Sequence, residues 1–195
     1  MQEAELSPQE SLLIIDSMIS KARNRFSENG FMYLLWGWLI FICAVGQFAL
    51  IKLNWFAHPE IIWASTWLAV IYQVIYFSFR KKKENVKTYS DGIISSIWIS
   101  FGICMFVLVF IMNRYNVWPV VYPLILMMYG IPTFLSGTVM QFKPLKRGGI
   151  ICWALALTAT FVSPLYMLLL LALAVVVAWI IPGYLLRKKF NVENK

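Results

Sequence analysis

The sequence predicts an all-α, polytopic membrane protein with six transmembrane helices, arranged as three antiparallel hairpins and preceded by an amphipathic interfacial helix. Of its 195 residues, 61% are hydrophobic and 13% are charged, whereas about 25% are charged in a typical soluble domain. The apolar residues form long blocks separated by short charged segments, which is the pattern of transmembrane helices. A soluble domain of this length exposes too much surface to water to hide so many apolar side chains.

Residues 1–30 are predicted to form a cytoplasmic amphipathic helix. The segment Ser7-Pro8-Gln9-Glu10 has the pattern of a capping box, and Asn29-Gly30 is a typical helix end. Between them, apolar residues recur every three or four positions and form one seam: Leu12, Ile15, Ile19, Ala22 and Phe26. Such a seam lies in the inner membrane interface, packs against the chain's own helices, or pairs with another protomer or a partner protein. The first two placements are favoured, because a broad apolar face before a membrane crossing usually needs no partner.

Residues 31–187 are predicted to form the transmembrane domain, and residues 188–195 a cytoplasmic tail. The six apolar blocks of this domain are 31–51, 61–79, 92–112, 118–141, 147–163 and 165–186. The fifth block has only 15 consecutive uncharged residues before Ser163. Either Pro144 opens this helix and the neighbouring basic side chains extend to the headgroups, or the helix is short and the bilayer thins around it.

The basic residues predict the orientation of the chain. Fifteen of the 17 fall on one side: Lys21, Arg23, Arg25, Arg80, Lys81, Lys82, Lys83, Lys87, Lys143, Lys146, Arg147, Arg187, Lys188, Lys189 and Lys195. The other side has only Lys52 and Arg114. Because basic loops stay in the cytoplasm, we expect a multi-pass protein of the cell membrane, a bacterial inner membrane, with both termini cytoplasmic.

The cysteines and the single histidine do not form a metal or redox motif. Cys43, Cys104 and Cys152 lie inside apolar blocks, where small packing residues are expected. His58 lies in an outer loop two residues from Glu60, too isolated for a metal site. We therefore expect no metal and no cofactor. Nucleic acid is not an expected partner either, because the basic residues form no stripe with interleaved aromatics.

The transmembrane blocks also argue against enzymatic activity and ion-coupled transport. They contain no ionisable residue deep in the bilayer, where membrane enzymes and ion-coupled carriers keep their functional Asp, Glu or His. No paired carboxylates, metal motif or activated serine can be identified. We expect a protein that is not an enzyme.

Uncharged polar residues are the remaining candidates for a ligand site. They are Gln73, Ser96, Ser100, Thr133 and Ser136. Gln73 is the strongest candidate and should face the interior, because an amide facing lipid leaves several hydrogen-bonding groups unpaired. Gly130 and Pro132 predict a kink in the fourth helix that flanks the site. The common alternative is that these residues only join helices to each other.

Two functions follow as hypotheses. The first is a non-enzymatic interaction, regulatory or sensor module of the cytoplasmic membrane, which would use the seam of Leu12, Ile15, Ile19 and Phe26 as an interface. Its expected partners are membrane lipids, a second copy of the chain or a membrane partner protein. The second is a transporter, channel or binding protein for a neutral or lipid-like small molecule, bound near Gln73, Ser136 and Pro132.

Overall fold

A computed structural model describes residues 7, 12–13, 30–81 and 89–193. Every regular element in these ranges is helical. The α-helices are α1 (Phe31–Leu53), α2 (Ser65–Lys81), α3 (Tyr89–Tyr115), α4 (Val121–Val139), α5 (Lys143–Ala159), α6 (Pro164–Val175) and α7 (Ile181–Glu193). Short 3-10 helices at Pro59–Ala64 and Trp118–Val120 precede α2 and α4, and a π-turn at Val176–Ile180 joins α6 to α7.

The predicted class, a helical membrane protein, is confirmed. Four stretches are long and apolar enough to cross a membrane: Phe31–Leu53, Gly92–Tyr115, Val121–Val139 and Pro164–Lys189. The remaining two helices, α2 and α5, have 17 residues each. At about 1.5 Å per residue, a helix of that length falls a few ångströms short of the roughly 30 Å of hydrocarbon.

Several helices have boundaries that differ from the predicted blocks; α2, for example, begins at Ser65 and not at residue 61. The fifth helix, α5, begins at Lys143 and ends at Ala159, whereas its block was placed at 147–163. Pro144 lies in its first turn, where a missing N–H is tolerated, which agrees with the first of the two alternatives considered for this block. The last helix continues to Glu193, through the segment expected to be a tail.

Three of the helix ends use a non-glycine residue in the left-handed region. Asn54, Asn116 and Gln141 have φ values of 50°, 52° and 52° and follow α1, α3 and α4. After each of them a backbone amide returns to a carbonyl of the last turn: Trp55 to Leu50, Val117 to Met112 and Phe142 to Gly137. This bond satisfies carbonyls that a helix end would otherwise leave unpaired.

The core of the bundle consists of α1, α4, α5 and the continuous helix formed by α6, the π-turn and α7. Its closest helix pair is α4 with α5, which are joined by a three-residue turn at residues 140–142. Glycines permit this approach, because a Cβ at Gly149 of α5 would lie 2.7 Å from Phe134 Cβ of α4. A second glycine of α5, Gly148, lies as close to the π-turn, where its Cβ would be 2.7 Å from Ala178 Cα. Small residues of this kind let transmembrane helices pack backbone to backbone.

Helices α2 and α3 lie at the periphery. Helix α2 packs mainly on α1 and on the 3-10 helix before it, and α3 packs chiefly on α4. In the most apolar 18-residue window of the stretch Gly92–Tyr115, only 6% of the residues are buried inside the bundle. The strongest pairings, α4 with α5 and α1 with α6, join helices of different predicted hairpins.

Candidate functional site

Five aromatic side chains from four helical segments meet inside the bundle, and we call them the aromatic cluster. They are Tyr33 of α1, Trp98 and Phe101 of α3, Tyr129 of α4 and Trp179 of the π-turn. The closest ring pair is Tyr129 and Trp179, with centroids 4.6 Å apart, and the other four ring contacts lie between 5.6 and 5.9 Å. The cluster attaches the peripheral α3 to the core.

Two irregular helix segments face each other beside this cluster. The π-turn carries Trp179, whose Nε1 donates a 2.9 Å hydrogen bond to Thr133 Oγ1 on α4. Thr133 Oγ1 in turn donates to the Tyr129 carbonyl at 2.7 Å. The preceding residue, Pro132, is buried and has no N–H. The Met128 carbonyl therefore loses its usual helical donor. Irregular backbone at membrane depth occurs where it is buried in protein or lines a cavity.

Two buried hydroxyls on the α1 and α4 sides of the cluster have no well-formed hydrogen bond to any described residue. Tyr33 is 6% exposed and Ser136 is fully buried. The Tyr33 hydroxyl lies within reach of Ser136 and of the Trp98 indole, but the geometry of neither approach is that of a hydrogen bond. A buried polar group without a partner destabilises a protein by about 1–3 kcal/mol, so this pair calls for a physical explanation.

A groove runs between α3 and α4 next to the aromatic cluster. Its volume is about 680 Å³. The lining is apolar apart from two serines and consists of Gly92, Ile93, Ser96, Ile97, Ser100, Phe101, Cys104, Met128, Ile131, Pro132 and Leu135. Ser96 Oγ donates to the Gly92 carbonyl of its own helix at 2.9 Å. The groove is therefore an open apolar cleft with few polar groups.

The structure divides the predicted ligand-site residues among three places. Ser96 and Ser100 line the groove, and Thr133 and Ser136 are buried in the bundle. Gln73 lies apart from both, on α2, where its Oε1 accepts a 2.6 Å hydrogen bond from Trp36 Nε1. It is half-buried and bonded to α1, so it takes part in helix packing and does not join the other four residues.

Gly130 and Pro132 have different roles in α4. Helix α4 is continuous from Val121 to Val139 and contains Pro132 in its interior. Gly130 makes room for the Trp153 indole of α5, because a Cβ at this position would overlap Trp153 Nε1. That indole donates to the Met127 carbonyl at 3.1 Å. Gly130 therefore serves the α4–α5 contact, whereas Pro132 lines the groove.

Gln47 is a buried polar residue that was not among the predicted site residues. Its Oε1 accepts hydrogen bonds from Trp63 Nε1 at 2.7 Å and from the Tyr122 hydroxyl at 3.2 Å. It therefore joins α1 to α4 and to the 3-10 helix before α2. A glutamine within an otherwise apolar helix was the available signal. Its partners, however, are distant in sequence and could not be identified without the fold.

In the loop between α1 and α2, His58 lies within hydrogen-bonding distance of Glu60. His58 Nδ1 lies 3.0 Å from Glu60 Oε1, and both side chains are exposed. The pKa of Glu60 is lowered mainly by a hydrogen bond from its own backbone amide and, to a smaller extent, by the hydrogen bond to His58. Among the described residues, no group of three His, Cys, Asp or Glu side chains is placed to hold a metal ion.

Two residues of the predicted N-terminal helix lie within the described part of the chain. Leu12 and Leu13 are helical and are 66% and 70% exposed, so these two side chains do not pack on the bundle. The other predicted interface residues, Ile15, Ile19 and Phe26, lie outside the described residues.

The chain matches no protein-family model, no curated protein and no solved structure. Function is therefore inferred from the geometry of the chain itself.

Proposed function

We propose that this chain is a non-enzymatic membrane protein that acts as an interaction module, with a regulatory or sensor role in the cytoplasmic membrane. The observation that carries the proposal is the placement of α3. Its apolar stretch has 24 residues. In the most apolar 18-residue window of that stretch, only 6% of the residues are buried in the bundle. A membrane-crossing helix that adds so little to its own core is available to pack against another membrane protein.

The proposed interface is the outer seam of α3. Four large apolar residues at spacings of four, three and four share one helix face: Ile99, Ile103, Phe106 and Phe110. Each is between 60 and 65% exposed. None of them lines the groove, so the outer seam and the groove are separate surfaces. The partner that fits this surface is a transmembrane helix, either of a second copy of the chain or of another protein.

The topology that places this seam in the bilayer is also proposed. It has six crossings in three antiparallel hairpins, with both termini cytoplasmic. It is supported by the four apolar stretches and by the fifteen-to-two distribution of basic residues. In this topology α2 and the short α5 also cross, with Lys143, Lys146 and Arg147 of α5 at the headgroups.

Alkaline phosphatase fusions test the topology. Fusions after residues 56, 116 and 161 should be active, and fusions after residues 84, 141 and 195 should be inactive. Helix α5 is tested by the pair at 141 and 161. If both of these fusions are inactive, α5 does not cross and the six-crossing topology is wrong.

Native mass spectrometry from nanodiscs tests the interface. We expect a discrete oligomer or a complex with a membrane partner, and we expect its loss when Ile99, Ile103, Phe106 and Phe110 are all changed to alanine. The matched control changes Leu68, Ile71, Ile75 and Phe79 to alanine, an equally apolar exposed set on α2. Association that survives the α3 changes, or is lost only in the α2 control, would show that the outer seam of α3 is not the interface.

The N-terminal helix is the second proposed contact of the same module. The exposure of Leu12 and Leu13 supports a contact with lipid or a partner outside the bundle. Deleting residues 1–28 should reduce association while the helical content of the bundle stays unchanged. A deletion that leaves association intact would remove this segment from the interface.

A further inference from the structure

We propose that the unpaired hydroxyls of Tyr33 and Ser136, together with the α3–α4 groove, form a binding site for a neutral single-chain amphiphile. The uncharged head, a hydroxyl or amide group, would lie between Tyr33 Oη and Ser136 Oγ, and the hydrocarbon chain would lie in the groove. The inference develops the small-molecule alternative raised by the sequence, and it does not depend on the outer seam of α3.

The two hydroxyls define the chemistry of the head. Each can donate one hydrogen bond and accept others, and neither has a partner among the described residues. A head group that donates and accepts would satisfy both. The surrounding side chains are the aromatic rings of Trp98, Tyr129 and Trp179. Such surroundings strongly disfavour an ionised head, because no opposite charge compensates for its lost hydration.

The groove defines the chemistry of the tail. Its volume of about 680 Å³ lies within the roughly 300–1,000 Å³ of typical ligand pockets. Its lining is apolar along α3 and α4, and it opens toward the surface that faces lipid in a bundle of this class. A molecule that reaches this groove from the bilayer needs a hydrocarbon body.

The groove and the hydroxyl pair are adjacent. Ser136 directly follows Leu135 and lies one helical turn after Pro132, and both of these residues line the groove. Phe101 also lines the groove and packs on Trp98 with ring centroids 5.6 Å apart. Trp98 packs on Tyr33 in turn, at 5.8 Å. Two aromatic side chains of α3 therefore separate the groove from the hydroxyls.

The two aromatic side chains that separate the groove from the hydroxyls can move, because α3 has few contacts with the core. The helix packs chiefly on α4 and reaches the core through the aromatic cluster. A rotamer change of Trp98 or a small displacement of α3 would connect the groove to the hydroxyl pair. Ligand binding would favour that open arrangement by the free energy of the two new hydrogen bonds.

Native mass spectrometry with three probes tests the site. The probes are monooleoylglycerol, with a neutral hydroxyl head, methyl oleate, with no donor, and oleate, with a charged head. We expect one monooleoylglycerol per protomer and weaker binding of the other two. The double variant Tyr33→Phe/Ser136→Ala should bind monooleoylglycerol about tenfold more weakly, the effect of losing two hydrogen bonds of ordinary strength. The matched control Tyr72→Phe/Ser78→Ala removes two hydroxyls from α2, none of whose described residues lines the groove, and should bind as the wild type does.

Thermal unfolding of the ligand-free protein separates binding from a structural role. Removing hydroxyls that lack partners should leave the stability of the Tyr33→Phe/Ser136→Ala variant equal or higher. Cys104→Trp should fill the groove and block binding without touching the hydroxyls. Equal affinity for methyl oleate, or unchanged binding by the double variant or by Cys104→Trp, would overturn the proposal. A water molecule held between the hydroxyls, with no probe bound, would also overturn it. None of these results bears on the oligomer that tests the α3 seam, so the two proposals fail independently.

Discussion

Helix α3 and the last helix are almost equally apolar, yet α3 lies at the periphery of the bundle and the last helix lies in its core. The stretches Gly92–Tyr115 and Pro164–Lys189 each contain an 18-residue window, with mean hydropathies of 2.4 and 2.7. In the first window 6% of the residues are buried inside the protein, and in the second 50%. Hydropathy therefore indicates that both helices belong in a membrane but does not indicate which one forms the core.

The glycine contacts show what separates the two helices. Around the last helix, glycines of other elements meet backbone or short side chains: Gly148 faces Ala178, and Gly30 faces Gly183. On α3, Gly92 and Gly102 face open space. Because lipid is as apolar as a leucine side chain, close packing rather than burial from water decides which helices associate. The last helix has complementary partners, and α3 has them only on its α4 side.

Inserting a large side chain at a glycine should give the largest difference between the two regions. Gly148→Leu places a side chain against the backbone of the last helix, with Cβ contacts of 2.7 Å to Ala178 Cα and 3.2 Å to the Val177 carbonyl oxygen. We expect it to destabilise the bundle by about 3 kcal/mol or to prevent folding. Gly102→Leu, in open space on α3, should change stability by less than ~0.5 kcal/mol. Thermal unfolding in detergent measures both, and equal losses would show that α3 is packed as tightly as the core.

Truncating a large apolar residue should give the next largest difference. Leu171 in the last helix is fully buried, and Phe110 on α3 is 65% exposed. Leu171→Ala leaves a cavity and should cost about 2 kcal/mol. Phe110→Ala removes more atoms but leaves no cavity, so the free energy of unfolding of the monomer should change little. A larger loss for Phe110→Ala in the monomer would contradict the peripheral placement of α3.

Removing one hydrogen-bond acceptor from each region should have a smaller effect. Thr133→Val leaves the buried Trp179 indole without its acceptor and should cost about 1 kcal/mol. Gln73→Leu removes the acceptor of the half-buried Trp36 indole on the α2 side and should cost about 0.5 kcal/mol. Chemical denaturation in mixed micelles can resolve this order. If Gln73→Leu is the more damaging variant, α2 contributes more to the core than its contacts indicate.

Replacing a non-glycine residue in the left-handed region by glycine should give the smallest effect, and it should stabilise the protein instead of destabilising it. Gln141 has a φ of 52° in the turn between α4 and α5. Glycine adopts this conformation without a steric penalty, so Gln141→Gly should raise the free energy of unfolding by about 0.5–1 kcal/mol. Asn116→Gly, at the end of the peripheral α3, should raise it less, because asparagine already tolerates this region. A destabilised Gln141→Gly variant would show that the glutamine side chain contributes a contact of its own.

Parts of the candidate site were accessible from sequence, and parts were not. Gln73 was expected to face the interior, because an amide is costly in lipid, and it is half-buried and bonded to α1. Ser96 and Ser100 were assigned to the same site, yet they lie in the groove, while Ser136 is buried beside Tyr33. Tyr33 and Gln47 were missed as site residues. Each gains its role from a residue more than 60 positions away, Ser136 for Tyr33 and Tyr122 for Gln47, and such pairings leave no local pattern in the sequence.

The sequence by itself determined that this is a helical membrane protein and approximately where its apolar helices lie in the chain. Those properties depend on runs of apolar residues, prolines and charged segments, which are local in the chain. Only the tertiary structure decided that α2 and α3 are peripheral, and that two unpaired hydroxyls meet beside a groove. In lipid every face of these helices is apolar, so no periodic signal marks the buried side. The choice depends on the fit between surfaces that are distant in sequence.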